Sequence, residues 1–142
     1  MRITGWSLGI LLGVTGCLSG TGPNDVVTVP GTATMRIGQQ VRLGDGVWAL
    51  TFNAVTSDSR CPMGALCIVA GEAVLDLTLE NLLSAQPRPP AYQVTLKGEL
   101  PDTIAGFIFQ LKQLDPFPQL NKTIDPKEYV AKIAIRSEYL LD

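Results

Sequence analysis

Along most of this chain, apolar and polar residues alternate with a period of two, the spacing that puts every second side chain on one face of a β-strand. In residues 47–55 (VWALTFNAV), Trp48, Leu50, Phe52 and Ala54 share a face. Residues 74–80 set Leu75, Leu77 and Leu79 against Asp76, Thr78 and Glu80. Tyr92, Val94 and Leu96 form a third inward row, and Phe107, Phe109 and Leu111 a fourth. In the last run, Tyr129, Ala131, Ile133 and Ile135 alternate with Val130, Lys132, Ala134 and Arg136. Shorter candidates are residues 26–29, 34–37 and 40–43. Strands with one apolar face belong to antiparallel sheets that cover a core on one side and meet water on the other.

Turn signals separate these runs. Gly44-Asp45-Gly46 predicts a hairpin turn ahead of the Trp48 strand. Gln86-Pro87-Arg88-Pro89-Pro90 cannot join a ladder and reads as a loop. Asp115-Pro116-Phe117-Pro118 ends one strand, and Asp125-Pro126 introduces the last. The pattern predicts an all-β fold, an Ig-like antiparallel two-sheet β-sandwich of about seven strands. The rival helix, residues 79–85, is short. Tyr129 follows a Pro-bearing loop and is a candidate tyrosine corner, its hydroxyl tying down loop backbone. A plain strand-end tyrosine is the alternative.

The first residues obey a different pattern. Met1-Arg2 carries one positive charge, and residues 3–14 form a short apolar stretch, as in a secretory leader. A permanent membrane helix needs roughly 20 apolar residues, more than this stretch holds. Val14-Thr15-Gly16-Cys17 resembles the bacterial lipobox. The resemblance implies cleavage before Cys17 and acylation of its sulfur and new amino group, giving an anchor of several chains. Leu18, not Asp, follows the cysteine, which for such lipoproteins points to the outer membrane. An ordinary leader with an incidental cysteine is the alternative. Residues 1–16 are therefore expected to be the signal peptide, 17–30 the lipidated cysteine and a Gly/Ser/Thr/Pro tether, and 31–142 the sandwich.

Composition narrows the chemistry. Among 142 residues, 46% are hydrophobic and only 6% aromatic, so the core must rest on Val, Leu and Ile. Net charge is -2, and loss of Arg2 with the leader leaves ten basic against thirteen acidic residues. With no basic run, nucleic-acid binding lacks its usual electrostatic source. The chain contains no histidine. Histidine-based nucleophilic catalysis is thereby excluded, and most zinc sites with it. No metal or cofactor is expected.

The segment that breaks the alternation is residues 56–73. Cys61 and Cys67 are the only cysteines besides Cys17, and Pro62 and Gly64 between them are turn formers. In an exported chain such a pair is well placed to oxidise to a structural disulfide. A redox dithiol usually has the tighter C-x-x-C spacing, and a metal site would need further ligands. Asp58, Arg60 and Glu72 flank the pair. The structural reading has Asp58 capping the turn and Arg60 paired with a carboxylate.

Asp58-Ser59-Arg60-Cys61-Pro62, then Cys67, then Ala70-Gly71-Glu72, is similar to a D-S-R-C-P…C-x-x-A-G pattern of small, uncharacterised bacterial lipoproteins and secreted domains. The similarity extends through residues 111–118 and 124–135. It implies the disulfide and a β fold, and it implies no activity.

The leading functional expectation is a non-enzymatic, membrane-anchored envelope lipoprotein that acts as a binding or structural module, with a protein or glycan partner in the envelope. The candidate contact surface is the loop bearing Met63 and Leu66 together with residues 115–120 around Phe117. Packing of these side chains onto the core is the alternative. A second expectation is a proteinase-inhibitor-like domain using the braced loop 61–67, since a rigid loop loses less entropy on entering a cleft. A third is a carboxylate hydrolase built on Asp58, Glu72 or Asp76, for which no shaped cleft is expected.

Overall fold

The computed structural model describes residues 25–84 and 91–140. The leader, Cys17, the lipobox and the Pro-rich loop 86–90 lie outside the described residues. Nine strands form: β1 (Val26–Val27), β2 (Gly31–Arg36), β3 (Gln40–Leu43), β4 (Trp48–Asp58), β5 (Ala73–Asn81), β6 (Ala91–Lys97), β7 (Asp102–Ile104), β8 (Phe107–Asp115) and β9 (Val130–Ser137). They build a five-stranded sheet, β1-β3-β4-β5-β6, and a four-stranded sheet, β2-β9-β8-β7. The chain is an all-β sandwich, as the periodicity predicts. The described residues form nine strands rather than about seven. The candidate at 26–29 supplies β1, and the unforeseen strand is β7, whose three residues are too short to show a period.

Within each sheet, neighbours in the chain are neighbours in space, apart from β2, which lies beside β9. Pairing is antiparallel except for β1 beside β3, which is parallel. Val27 and Val29 pack against the core, so the folded body includes residues assigned above to the tether. The rival helix over 79–85 gives way to the strand reading at its start. Residues 79–81 complete β5 instead, where Leu79 faces Leu50 and Tyr92 across the sheet.

The apolar rows face each other between the sheets. Leu50, Phe52, Leu75, Leu77, Leu79, Val94 and Leu96 from one sheet and Met35, Phe109, Ile133 and Ile135 from the other are fully buried. Fully burying each such side chain stabilises the fold by about 1.5–3 kcal/mol before entropy is counted. Two irregularities in the β4–β5 ladder, after Phe52 and after Val55, shift the phase of β4. As a result Val55, opposite Leu75, continues the core-packed row after Phe52, and Ala54 opposes Asp76. A third, between Leu111 and Gln113, puts Leu114 into the core where strict alternation would put Gln113.

The Gly44-Asp45-Gly46 turn joins β3 to β4 as expected. Both glycines adopt positive φ, and the Val47 amide donates to Asp45 Oδ1 at 3.0 Å. At the other pole, β4 and β8 end at Asp58 and Asp115, while β5 and β9 begin. Loops 59–72 and 116–129 therefore emerge side by side.

Candidate functional site at the disulfide pole

The centre of this pole is an ion pair set by local sequence and completed from a distance. Asp58 ends β4, and Arg60 folds back so that Nε donates to Asp58 Oδ1 at 2.8 Å and Nη2 to Oδ2 at 2.6 Å. The two-pronged geometry suits a planar guanidinium and a carboxylate. Arg60 Nη1 also donates to the Leu114 carbonyl at 2.6 Å, and Nη2 to the Pro116 carbonyl at 3.0 Å. Its guanidinium carbon lies 5.0 Å from the centre of the Phe117 ring. Arg60 thus locks the end of β8 to the end of β4.

Tyr129 is buried, and its hydroxyl donates to Asp58 Oδ2 at 3.0 Å. The tyrosine-corner expectation is corrected on this point. The hydroxyl ties down a side chain of a distant strand end, not loop backbone. Burial opposes ionisation of Asp58, but Arg60 and the Tyr129 hydroxyl outweigh it and hold the carboxyl below the usual carboxylate range. Burial, followed by the hydrogen bond and charge of Asp58, pushes the Tyr129 hydroxyl up.

Glu72 does not join this ion pair. Its side chain is exposed, and its contribution is through backbone: the Ser59 amide and hydroxyl donate to the Glu72 carbonyl at 2.9 and 3.0 Å. The Glu72 amide donates in turn to Ser59 Oγ at 3.0 Å. These bonds close the base of loop 59–72. A Cβ on Gly71 would lie 1.6 Å from the Ser59 carbonyl oxygen, so this approach requires glycine.

The Cys61–Cys67 disulfide forms, with Cα atoms 6.0 Å apart, within the ordinary range. Inside the ring, the Ala65 amide donates to the Pro62 carbonyl at 3.0 Å around Gly64 at positive φ. Met63 pairs with the neighbouring loop. Its amide donates to the Pro118 carbonyl at 2.9 Å, and its carbonyl accepts from Leu120 at 3.2 Å. The two loops named from the sequence are thus brought together as one surface.

That surface is apolar and open. Leu66 and Ile68 are each 104% exposed, and Met63, Val69, Phe117 and Leu120 are also exposed. Met63, Leu66 and Phe117 were expected here. Leu120 closes the expected segment 115–120; Ile68 and Val69 were not expected, although Ile68-Val69 following Cys67 was a visible signal.

The carboxylates considered for hydrolysis stand in different settings. Both Asp58 oxygens already accept hydrogen bonds from Arg60 and Tyr129. Asp76 lies on the outer face of β5, with Asn53 at 3.4 Å and Gln93 beside it. Among the described residues no cluster of three thiol or carboxylate ligands is present. No described helix is long and apolar enough to cross a membrane.

Against known proteins, the chain matches no family model, no curated sequence and no solved structure.

Proposed function

We propose that the chain is a non-enzymatic lipoprotein of the bacterial envelope, anchored through acyl chains on Cys17, whose disulfide pole docks a protein partner. The observation that carries the docking half is the pairing of exposed Leu66 and Ile68 with a backbone held on three sides. The Cys61–Cys67 bond, the Ser59–Glu72 closure and the Met63–Leu120 bridge pre-organise the tip. Apolar side chains in water on a rigid support suit an interface, because burying them gains hydrophobic free energy at little ordering cost. The anchoring half rests on the lipobox-like Val14-Thr15-Gly16-Cys17, and the outer membrane is its proposed destination.

Two measurements test the reading. Cys17→Ser should abolish incorporation of a fatty-acid analogue, and continued labelling would remove the anchor from the proposal. Photo-crosslinking from position 66 in native envelopes should trap a defined protein that the same probe no longer traps when Ile68→Asp is added. Crosslinks to lipid alone, or none, would refute docking to a protein.

An inhibitor-like role is the alternative reading of the same braced loop. The hydrogen bonds Met63 makes with Pro118 and Leu120 occupy its backbone, which leaves Leu66 as the residue to enter a protease cleft.

A further inference from the structure

Beside the apolar tip, β8 presents an incompletely paired edge. β7 pairs only with Phe107, Ile108 and Phe109, while β9 runs alongside β8 as far as Asp115. Beyond Phe109, one side of β8 therefore faces β9, and the other has no strand among the described residues. A groove of about 590 Å³ is lined by Leu111–Leu114 of this strand together with Ala70–Ala73 and Gly98–Glu99. Its size falls within the roughly 300–1,000 Å³ of ligand sites.

Both ends of the groove are held by side-chain bonds. Gln110 Nε2 donates to the Glu99 carbonyl at 2.9 Å, and Arg60 Nη1 takes the Leu114 carbonyl. Between them lies the short edge of residues 111–113, which carries the irregular step of the β8–β9 ladder.

We infer that this groove is a strand-addition site for an extended peptide bearing a basic side chain. An unpaired strand edge is matched by another extended backbone. Leu111, Leu114 and Phe117 line the groove with apolar surface. Its charged lining comprises Glu72 and Glu99 against Lys112, since Asp58 pairs with Arg60. The excess is negative, which favours a cationic side chain.

Fluorescence polarisation with the full chain in detergent tests the inference. The probes are fluorescein-labelled Val-Lys-Val-Lys-Val, its counterpart with glutamates for lysines, and the lysine peptide N-methylated along one backbone edge. The lysine peptide should saturate, and N-methylation should weaken it about tenfold through lost backbone hydrogen bonds. Glu72→Lys with Glu99→Lys, both at exposed positions, should reverse the preference to the acidic peptide while leaving the Tm unchanged. Leu66→Asp should bind the lysine peptide as the unaltered chain does, which separates this groove from the docking tip.

No saturable binding, indifference to N-methylation, or an unaltered preference in the double variant would each overturn it. A dimer that the peptide dissociates would assign the edge to a second copy. Binding that appears only after removal of residues 1–24 would assign it to the chain's own amino-terminal segment.

Discussion

The Tyr129 hydroxyl donates to Asp58 Oδ2 at 3.0 Å across 71 residues of chain, joining the entry to β9 with the end of β4 in the opposite sheet. The same carboxylate holds Arg60, which in turn holds β8 through the Leu114 carbonyl. One carboxylate thus links three strands from two sheets.

Removing the outer member of this network should have a modest effect. Tyr129→Phe keeps the ring in the core and loses one hydrogen bond, and about 1 kcal/mol of stability with it. Arg60→Met leaves Asp58 without its cation and should cost about 2–3 kcal/mol. That is below the full penalty for a deeply buried pair, because the pair retains some contact with water. Urea denaturation followed by tryptophan fluorescence measures both.

The network also sets a pH dependence at each extreme. Because Asp58 is held below its ordinary value, its contribution is present above about pH 4 and is lost as pH falls through its folded value. Tyr129 is pushed up, so its contribution is complete below about pH 10 and is lost as pH rises through its folded value. Melting temperature against pH should therefore fall more steeply at low pH for the unaltered chain than for Asp58→Asn. Tyr129→Phe should flatten the alkaline limb.

Gly71→Ala introduces a carbon where only 1.6 Å separates it from the Ser59 carbonyl oxygen. The loop base must open, and the expected cost is about 2 kcal/mol or more. A lowered Tm together with faster reduction of Cys61–Cys67 by dithiothreitol would show that this closure braces the disulfide. An unchanged reduction rate would show that it does not.

Replacing both Cys61 and Cys67 by alanine should cost about 2 kcal/mol, as expected for so short a ring. Far-ultraviolet circular dichroism should remain that of a β protein, because the core lies between the sheets and not in this loop. Phe52→Ala provides the contrast. It empties a fully buried position and should cost about 3–5 kcal/mol.

Leu66→Asp and Ile68→Asp should change stability by no more than about 0.5 kcal/mol, since both side chains are fully exposed. A larger loss in denaturant titrations would mean that the tip packs against the body, and the docking proposal would lose its basis.

How far the site was legible in the sequence follows from the range of each interaction. Asp58 and Arg60 are two residues apart, and Cys61 and Cys67 six, so their pairings lie within reach of local spacing. The partners of Arg60 at Leu114 and Pro116 are backbone carbonyls, which carry no side-chain signature in a sequence. Tyr129 stood out at its strand end, but alternation names a face and not a partner. Ala54 was misplaced, and the burial of Leu114 went unread, for a related reason. An irregular step in a ladder shifts the phase of every residue after it, and it depends on the neighbouring strand.

The sequence by itself determined the β character, most of the inward rows, the hairpin at Gly44-Asp45-Gly46 and the pairing of the two downstream cysteines, because each rests on residues close in the chain. Tertiary structure alone decided which sheet each strand joins, that loops 59–72 and 116–129 meet at one pole, and that β8 has, among the described residues, no second neighbour beyond β7. Those outcomes depend on how two apolar faces close over a common core, and that closure is a property of the whole chain.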